Sequence, residues 1–271
     1  KRIVFENTPK YWEQLNLHIR TIAKTNDAIH RLLGVGIAFP GEVSADRDYV
    51  IRSTVLGVKN LSIAEIQKHF SYPVYVEYGA NAAGFGTVWR SKELKDAVYV
   101  IVTNNGVAGS IILNNEIYHG RTGRAGAFGH ITLNPSGRKC FCGACGCWSA
   151  YNALNALTGL DETDLDGFFE KVNNEDPDAI AKWDEYLTYF ADGLSTVSMS
   201  FDIDIVIGGP LAVYLEPWLD TIISKMQSRP TLNGENISIH LDTKSESPMA
   251  EGVALMIVAK FLNDELDNFR F

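Results

Sequence analysis

Four cysteines, all that the 271-residue chain contains, stand at positions 140, 142, 145 and 147. They follow a histidine in the segment Gly129-His130-Ile-Thr-Leu-Asn-Pro-Ser-Gly-Arg-Lys-Cys140-Phe-Cys142-Gly-Ala-Cys145-Gly-Cys147-Trp148. A disulfide framework spreads its cysteines to close distant loops, and this cluster cannot do that. Thiolates and an imidazole in tight turns suit Zn²⁺, which takes four N or S ligands in a tetrahedron. Gly143 and Gly146 give the backbone the curvature that neighbouring ligands require. His130 with Cys-x-Cys-x₄-Cys supplies Cys₃His, a closed set with no position left for water, so the metal would be structural. Such sites contribute about 10–16 kcal/mol to local folding. Cys145 leaves the ligand choice open. A Cys₄ set without His130, four thiols with no metal, and a redox pair at Cys142-x-x-Cys145 are the other readings, the last without a thioredoxin-like surround.

The elements that must hold this loop follow from the pattern along the chain. Apolar positions Leu15, Ile19, Ile22, Ile29, Leu32 and Leu33 predict a helix from Tyr11 to Leu33. Gly34–Gly41 reads as a buried strand ending in a Pro-Gly turn. A helix at about 62–70, a strand at about 73–77 and an Ala/Gly-rich helix from Ala80 to Trp89 follow. Ala97–Thr103 is a β-branched strand, Asn104–Gly109 a turn, and Ser110–Leu113 its hairpin partner. The glycine-rich stretch Tyr118–Gly146 is irregular. A helical section begins at Trp148, and a long helix spans Ala179–Met199. A strand at Asp204–Ile207 leads through Gly208-Gly209-Pro210 into a helix at about 211–227. A strand at Ile237–Leu241 and a small-residue helix from Met249 close the chain. Strand–helix alternation in both halves predicts an α/β architecture of two related lobes with a cleft between them.

Gly-His followed by Cys-x-Cys-Gly-x-x-Gly-Cys resembles the signature of the ROK family (repressors, open reading frames and sugar kinases). Other pieces resemble the family in the same order: Ile37-Ala-Phe-Pro-Gly-Glu-Val, Tyr75-Val-Glu-Tyr-Gly-Ala-Asn-Ala-Ala against V-E-N-D-A-N-A-A, Gly120-Arg-Thr-Gly-Arg-Ala-Gly-Ala-Phe-Gly-His against G-x-x-G-x-A-G-E-x-G-H, and Ile207-Gly-Gly-Pro against I-G-G-G. The resemblance implies an actin-like, ribonuclease-H-like two-lobed α/β fold with a structural zinc loop. It implies His130, Cys140, Cys142 and Cys147 as zinc ligands and Cys145 as a bystander. The smaller lobe is expected over 1–97, with 258–271 returning to it. The larger, over 98–257, carries the zinc loop and the dimerisation surface.

The departures from the family's kinases are concentrated in one place. Kinases of the family transfer the γ-phosphoryl group of ATP to a sugar hydroxyl, with the Asp of V-E-N-D as base. Here Tyr78 stands at the Asn and Gly79 at the Asp, and glycine accepts no proton. Losing a positioned base removes about 10²–10⁴-fold of rate. Glu77 is a poor substitute, because neighbouring strand residues point to opposite faces. The family's Glu in A-G-E-x-G-H is Ala127 here, and its Glu two residues after the last zinc cysteine is Ser149. Directed carboxylate hydrogen bonds to sugar hydroxyls are therefore lost at Ala127 and Ser149, and His130 remains. Tyr78, Gly79, Asn81, Ala127, His130 and Ser149 are the expected ligand-contact positions, although Asn81 reads first as a cap or brace of its helix. On the ATP side, Asn104-Asn-Gly-Val-Ala-Gly-Ser110 stands in place of G-T-G-x-G-x-G and reads first as an ordinary hairpin turn, Pro210 removes a donor, and these residues contain no D-x-G-x-T loop.

The formal charge is −9, from 24 basic and 33 acidic residues, which repels phosphates over any broad face. No apolar run approaches a membrane span, and the first residues do not open a signal peptide, so a cytoplasmic location is expected. Together these readings predict the effector-sensing and dimerising body of a ROK transcriptional regulator with no catalytic residues. Its effector would be a small molecule, a sugar or sugar derivative, acting on a homodimer or dimer of dimers. DNA contact is expected only through an N-terminal module outside this chain. An ATP-dependent sugar kinase with another base, or a ligandless dimerisation domain, are the alternatives.

Overall fold

A computed structural model describes residues 3–28, 30–91, 93–159, 164–232, 234 and 236–268. In chain order the elements are α1 (Pro9–Thr25), β1 (Val35–Phe39), β2 (Glu42–Val43), β3 (Tyr49–Ser53), β4 (Val58–Ser62), α2 (Ile63–Gln67), β5 (Val74–Tyr78), α3 (Gly79–Arg90), β6 (Ala97–Thr103), β7 (Gly106–Leu113), β8 (Glu116–Ile117), α4 (Ser149–Asn152), α5 (Leu154–Thr158), α6 (Leu165–Asn173), α7 (Pro177–Phe201), β9 (Asp204–Gly208), α8 (Leu219–Gln227), β10 (Ile239–Asp242) and α9 (Pro248–Asn268). Short 3₁₀ turns lie at Phe128–His130, Ala212–Tyr214 and Glu216–Trp218. The chain divides into two compact units: Lys1–Arg90 with His119–Ala125 and Ser247–Phe271, and Ser91–Tyr118 with Gly126–Glu246.

In the first unit, α1 opens where the Thr8 hydroxyl accepts the Tyr11 N–H, with Pro9 in the first turn. It stops at Asn26, whose side-chain amide donates to the Ile22 carbonyl, and Asp27 turns left-handed at φ 48°. The apolar spacing that continues to Leu33 therefore belongs to no helix, and Ile29 lies outside the described residues. β1 and β5 pair in parallel from Val35–Val74 to Phe39–Tyr78. β2, β3 and β4 form a short antiparallel sheet that the sequence reading left out. Trp12, Phe39, Val50 and Ile66 sit in the buried core. The small residues of α3 and α9 serve a close helix crossing: a β-carbon at Gly86 would lie 2.9 Å from the Gly252 Cα. All of α9 belongs to this unit, so the chain returns at Ser247, ahead of the expected residue 258. Val253, which precedes that point, packs on β1, 2.9 Å from where a Gly36 β-carbon would project.

The second unit is built on a five-stranded sheet of order β10-β9-β6-β7-β8. β6 pairs with β9 in parallel and with β7 antiparallel. β6 is the central strand, and the unbroken burial from Ala97 to Val102 shows that both faces of the sheet are covered there. Thr103 pairs directly with Gly106, so the turn is Asn104-Asn105 alone and the second strand begins earlier than the expected Ser110. Two acidic runs, at 161–166 and 173–178, lead into helices: Asp164 accepts the Gly167 N–H to cap α6, and Asp176 accepts the Ala179 N–H to cap α7. Residues 161–163 of the first run lie outside the described residues. The expected helix from 211 is broken into 3₁₀ turns, with Pro217 in the second, and α8 begins only at Leu219.

Candidate functional site

In the second unit, His130, Cys140, Cys142 and Cys147 bring one ligand atom each within 4.8 Å of one another. Cys142 Sγ lies 3.7 Å from Cys147 Sγ, and Cys140 Sγ lies 3.9 Å from His130 Nδ1. Two thiolates on a tetrahedral ion with bonds of about 2.3 Å sit about 3.8 Å apart, close to the Cys142–Cys147 spacing, so the cluster is compatible with Zn²⁺. Its shape depends on Gly146, where φ is 76° and any β-carbon would collide with the Asn134 carbonyl. Cys145 is exposed and pairs through its backbone with Lys139, outside the cluster. Burial raises the Cys140 thiol and pushes Cys147 up to about 12, while the Ala144 backbone N–H lowers Cys142. Of the three thiols Cys142 is thus the most easily ionised.

Ala127 precedes the 3₁₀ turn and His130 ends it, with the His130 N–H bonded to the Ala127 carbonyl at 3.1 Å. Both side chains are exposed. Ser149, at the start of α4, is 3% exposed. Its hydroxyl accepts the Val107 N–H at 3.0 Å and donates to the Val107 carbonyl at 3.3 Å. The expected ligand contact thus holds the β6–β7 hairpin instead. A β-carbon at Gly106 would lie 2.6 Å from this hydroxyl, so glycine there leaves the space that Ser149 occupies.

In the first unit, Tyr78, Gly79 and Asn81 mark the passage from β5 into α3. A β-carbon at Gly79 would lie 2.9 Å from Met249 Sδ, at the start of α9. Burial and the Glu42 charge push the Tyr78 phenol up to about 12, so it stays protonated at neutral pH. Glu77 is 3% exposed. One of its carboxylate oxygens accepts from the Tyr78 N–H and from Asn81 Nδ2, both at 2.9 Å. The other accepts from Arg47 Nε at 3.0 Å and lies 3.0 Å from His119 Nε2. Burial alone would raise this carboxyl, but the hydrogen bonds from His119 and Asn81 and the charges of His119 and Arg47 outweigh it and hold it low. Asn81, 2% exposed, braces Glu77. Glu77 also ties down the loop after β8, whose Arg124 Nε donates to Glu42 at 2.9 Å. Met249, Arg47 and His119 were invisible as site residues in the sequence, because each meets its partner only through the fold.

The model of the ROK family matches residues 4–251. A xylose repressor of Caldicellulosiruptor bescii is 31% identical over 127 residues, 46% of this chain and 32% of the repressor. A glucokinase of Halalkalibacterium halodurans is 31% identical over 115 residues, 41% of this chain and 35% of the kinase. The matched region is thus about a third of each relative's own length. The crystal structure of a ROK hexokinase from Thermus thermophilus superposes with a TM-score of 0.77 at 24% identity, covering 95% of this chain and 89% of that one, a likeness of fold. Neither curated relative alone separates a regulator from a kinase, but a family match that runs through both units does settle descent: this α/β chain belongs to the ROK family, with its actin-like sugar-kinase fold.

Proposed function

We propose that this chain is the effector-sensing and dimerising body of a ROK transcriptional regulator, related to the xylose repressors, and that it does not phosphorylate sugars. The observation that carries the reading is the position of the missing base. Gly79 has no side chain, Met249 lies against the space a carboxylate would need, Tyr78 is held protonated, and the Glu77 carboxylate is buried and engaged by its neighbours. None of these groups can take a proton from a sugar hydroxyl at neutral pH. Ala127 and Ser149 supply no carboxylate for sugar hydroxyls, so the effector is a sugar or derivative held by fewer polar contacts.

His130, Cys140, Cys142 and Cys147 would hold Zn²⁺, which when bound supplies a structural crosslink and no open coordination position. Regulation requires that the effector bind one of two conformations more tightly, since equal affinity shifts nothing. DNA contact, in this reading, belongs to a module outside these residues, consistent with the charge of −9. The glucokinase relative favours a second reading, an ATP-dependent sugar kinase. A coupled assay with ATP, Mg²⁺ and a sugar panel separates the two. No turnover is expected; a kcat within the usual kinase range, above about 1 s⁻¹, overturns the proposal.

A further inference from the structure

We infer that Phe141 is a specificity-determining residue of the effector site, its ring stacking on the apolar C–H face of a cyclic sugar beside His130. The inference rests on the sugar-effector reading above. Phe141 lies between two of the clustered cysteines, Cys140 and Cys142. Phe141 is 53% exposed, although burying a phenyl ring is favourable. Single exposed apolar residues are common; the surroundings set this one apart. Its ring meets the His130 ring edge-on, with centroids 5.3 Å apart at 64°. Its Cε1 also lies 3.5 Å from where a β-carbon at Gly106 would project. The ring therefore spans from the metal-ligating histidine to the hairpin turn that Ser149 holds.

This is the place where polar ligand contacts have been withdrawn. Ala127 carries no carboxylate, and the Ser149 hydroxyl is committed to backbone. A sugar ring retains two kinds of surface, a rim of hydroxyls and faces lined by C–H groups. With the rim contacts reduced, an aromatic platform recognises the face. The platform is cheap to use: ligands on both flanks of Phe141 hold the loop, so little freedom is lost on binding. The geometry favours a pyranose or furanose with a flat C–H face over an open-chain polyol or an acyclic acid.

The test titrates wild type, Phe141→Ala and Phe141→Tyr with D-xylose, D-glucose, N-acetyl-D-glucosamine and sorbitol by calorimetry, with ligand-free melting temperature and zinc content measured in parallel. For the ring sugar bound best by the wild type, Phe141→Ala is expected to raise Kd about three- to tenfold, and Phe141→Tyr to keep it within about twofold. Melting temperature and zinc content stay unchanged, and sorbitol does not bind. Equal Kd for wild type and Phe141→Ala overturns the inference and leaves the effector reading standing. Absence of binding by every sugar at millimolar concentration overturns both. Should Phe141→Ala lose zinc, Phe141→Leu keeps apolar bulk without a ring, and affinity equal to that of Phe141→Tyr overturns the stacking role.

Discussion

Two side chains far apart in sequence decide what position 79 can become. An aspartate there must push its β-carbon into Met249 Sδ, 2.9 Å away. Met249 is flexible and gives way at small cost, so the larger penalty is a carboxylate placed at a buried position. Gly79→Asp is therefore expected to melt below wild type and to remain without transfer activity. Adding Met249→Ala should make the two changes less than additive in thermal denaturation, a coupling that residues without contact do not show. Glu77 gives a second expectation. Its carboxyl is held below the ordinary value by His119, Asn81 and Arg47 against the opposing effect of burial. A carboxyl lowered in the fold stabilises fully above its unfolded value, about 4.3, and loses that contribution as pH falls through the folded value. The melting-temperature gap between wild type and Glu77→Gln should thus be widest at pH 6–8 and close on acidification below about pH 4. A gap that stays constant with pH would remove the carboxylate's charge from the account.

At the scale of elements, the loop from His130 to Cys147 is held by its backbone and by the cluster. The Trp148 N–H bonds to Ile131 and the Gly146 N–H to Arg138, while Arg138 pairs with Glu185 on α7 at 2.8 Å. Purified protein is expected to carry one zinc per chain. Cys140→Ser, Cys142→Ser and Cys147→Ser should each lose it, and Cys145→Ser should keep it, as read by metal analysis. Removing the metal should raise hydrogen exchange across this loop first, and acid should release it, because protons compete for the thiolates. Ligand spacing is local, so the sequence displays a metal-binding cluster, but spacing alone leaves Cys145 open and the set without it is what the family resemblance implies. The sequence also made β6 and α7 readable, because burial leaves long apolar patterns. The β2–β4 sheet was hidden: its strands are short and mix charged residues such as Glu42, Arg52 and Lys59 with apolar ones. The end of α1 was hidden too, since the apolar spacing continues while Asn26 and Asp27 break the helix. Within the candidate site, Ser149 reads as a lost sugar contact; only the fold reveals its bonds to Val107.

For the whole molecule, net charge and effector binding make separable predictions. The −9 chain by itself should bind duplex DNA no more tightly than the non-specific range of about 10⁻⁴–10⁻⁶ M at physiological salt, as read by anisotropy. A sugar effector present at about 100 times its Kd should stabilise the protein by about 2.7 kcal/mol through mass action. The composition of the first unit has a further consequence, for biosynthesis. That unit takes its final helix from Ser247–Phe271 and a middle loop from His119–Ala125, and α9 supplies the wall on which α3 and β1 pack. Emerging from a ribosome at about 5–20 residues per second, its early strands must wait some tens of seconds for their last partner. Premature termination anywhere before α9 would leave both β1 and α3 uncovered, giving chaperones and proteases a clear mark of an unfinished product.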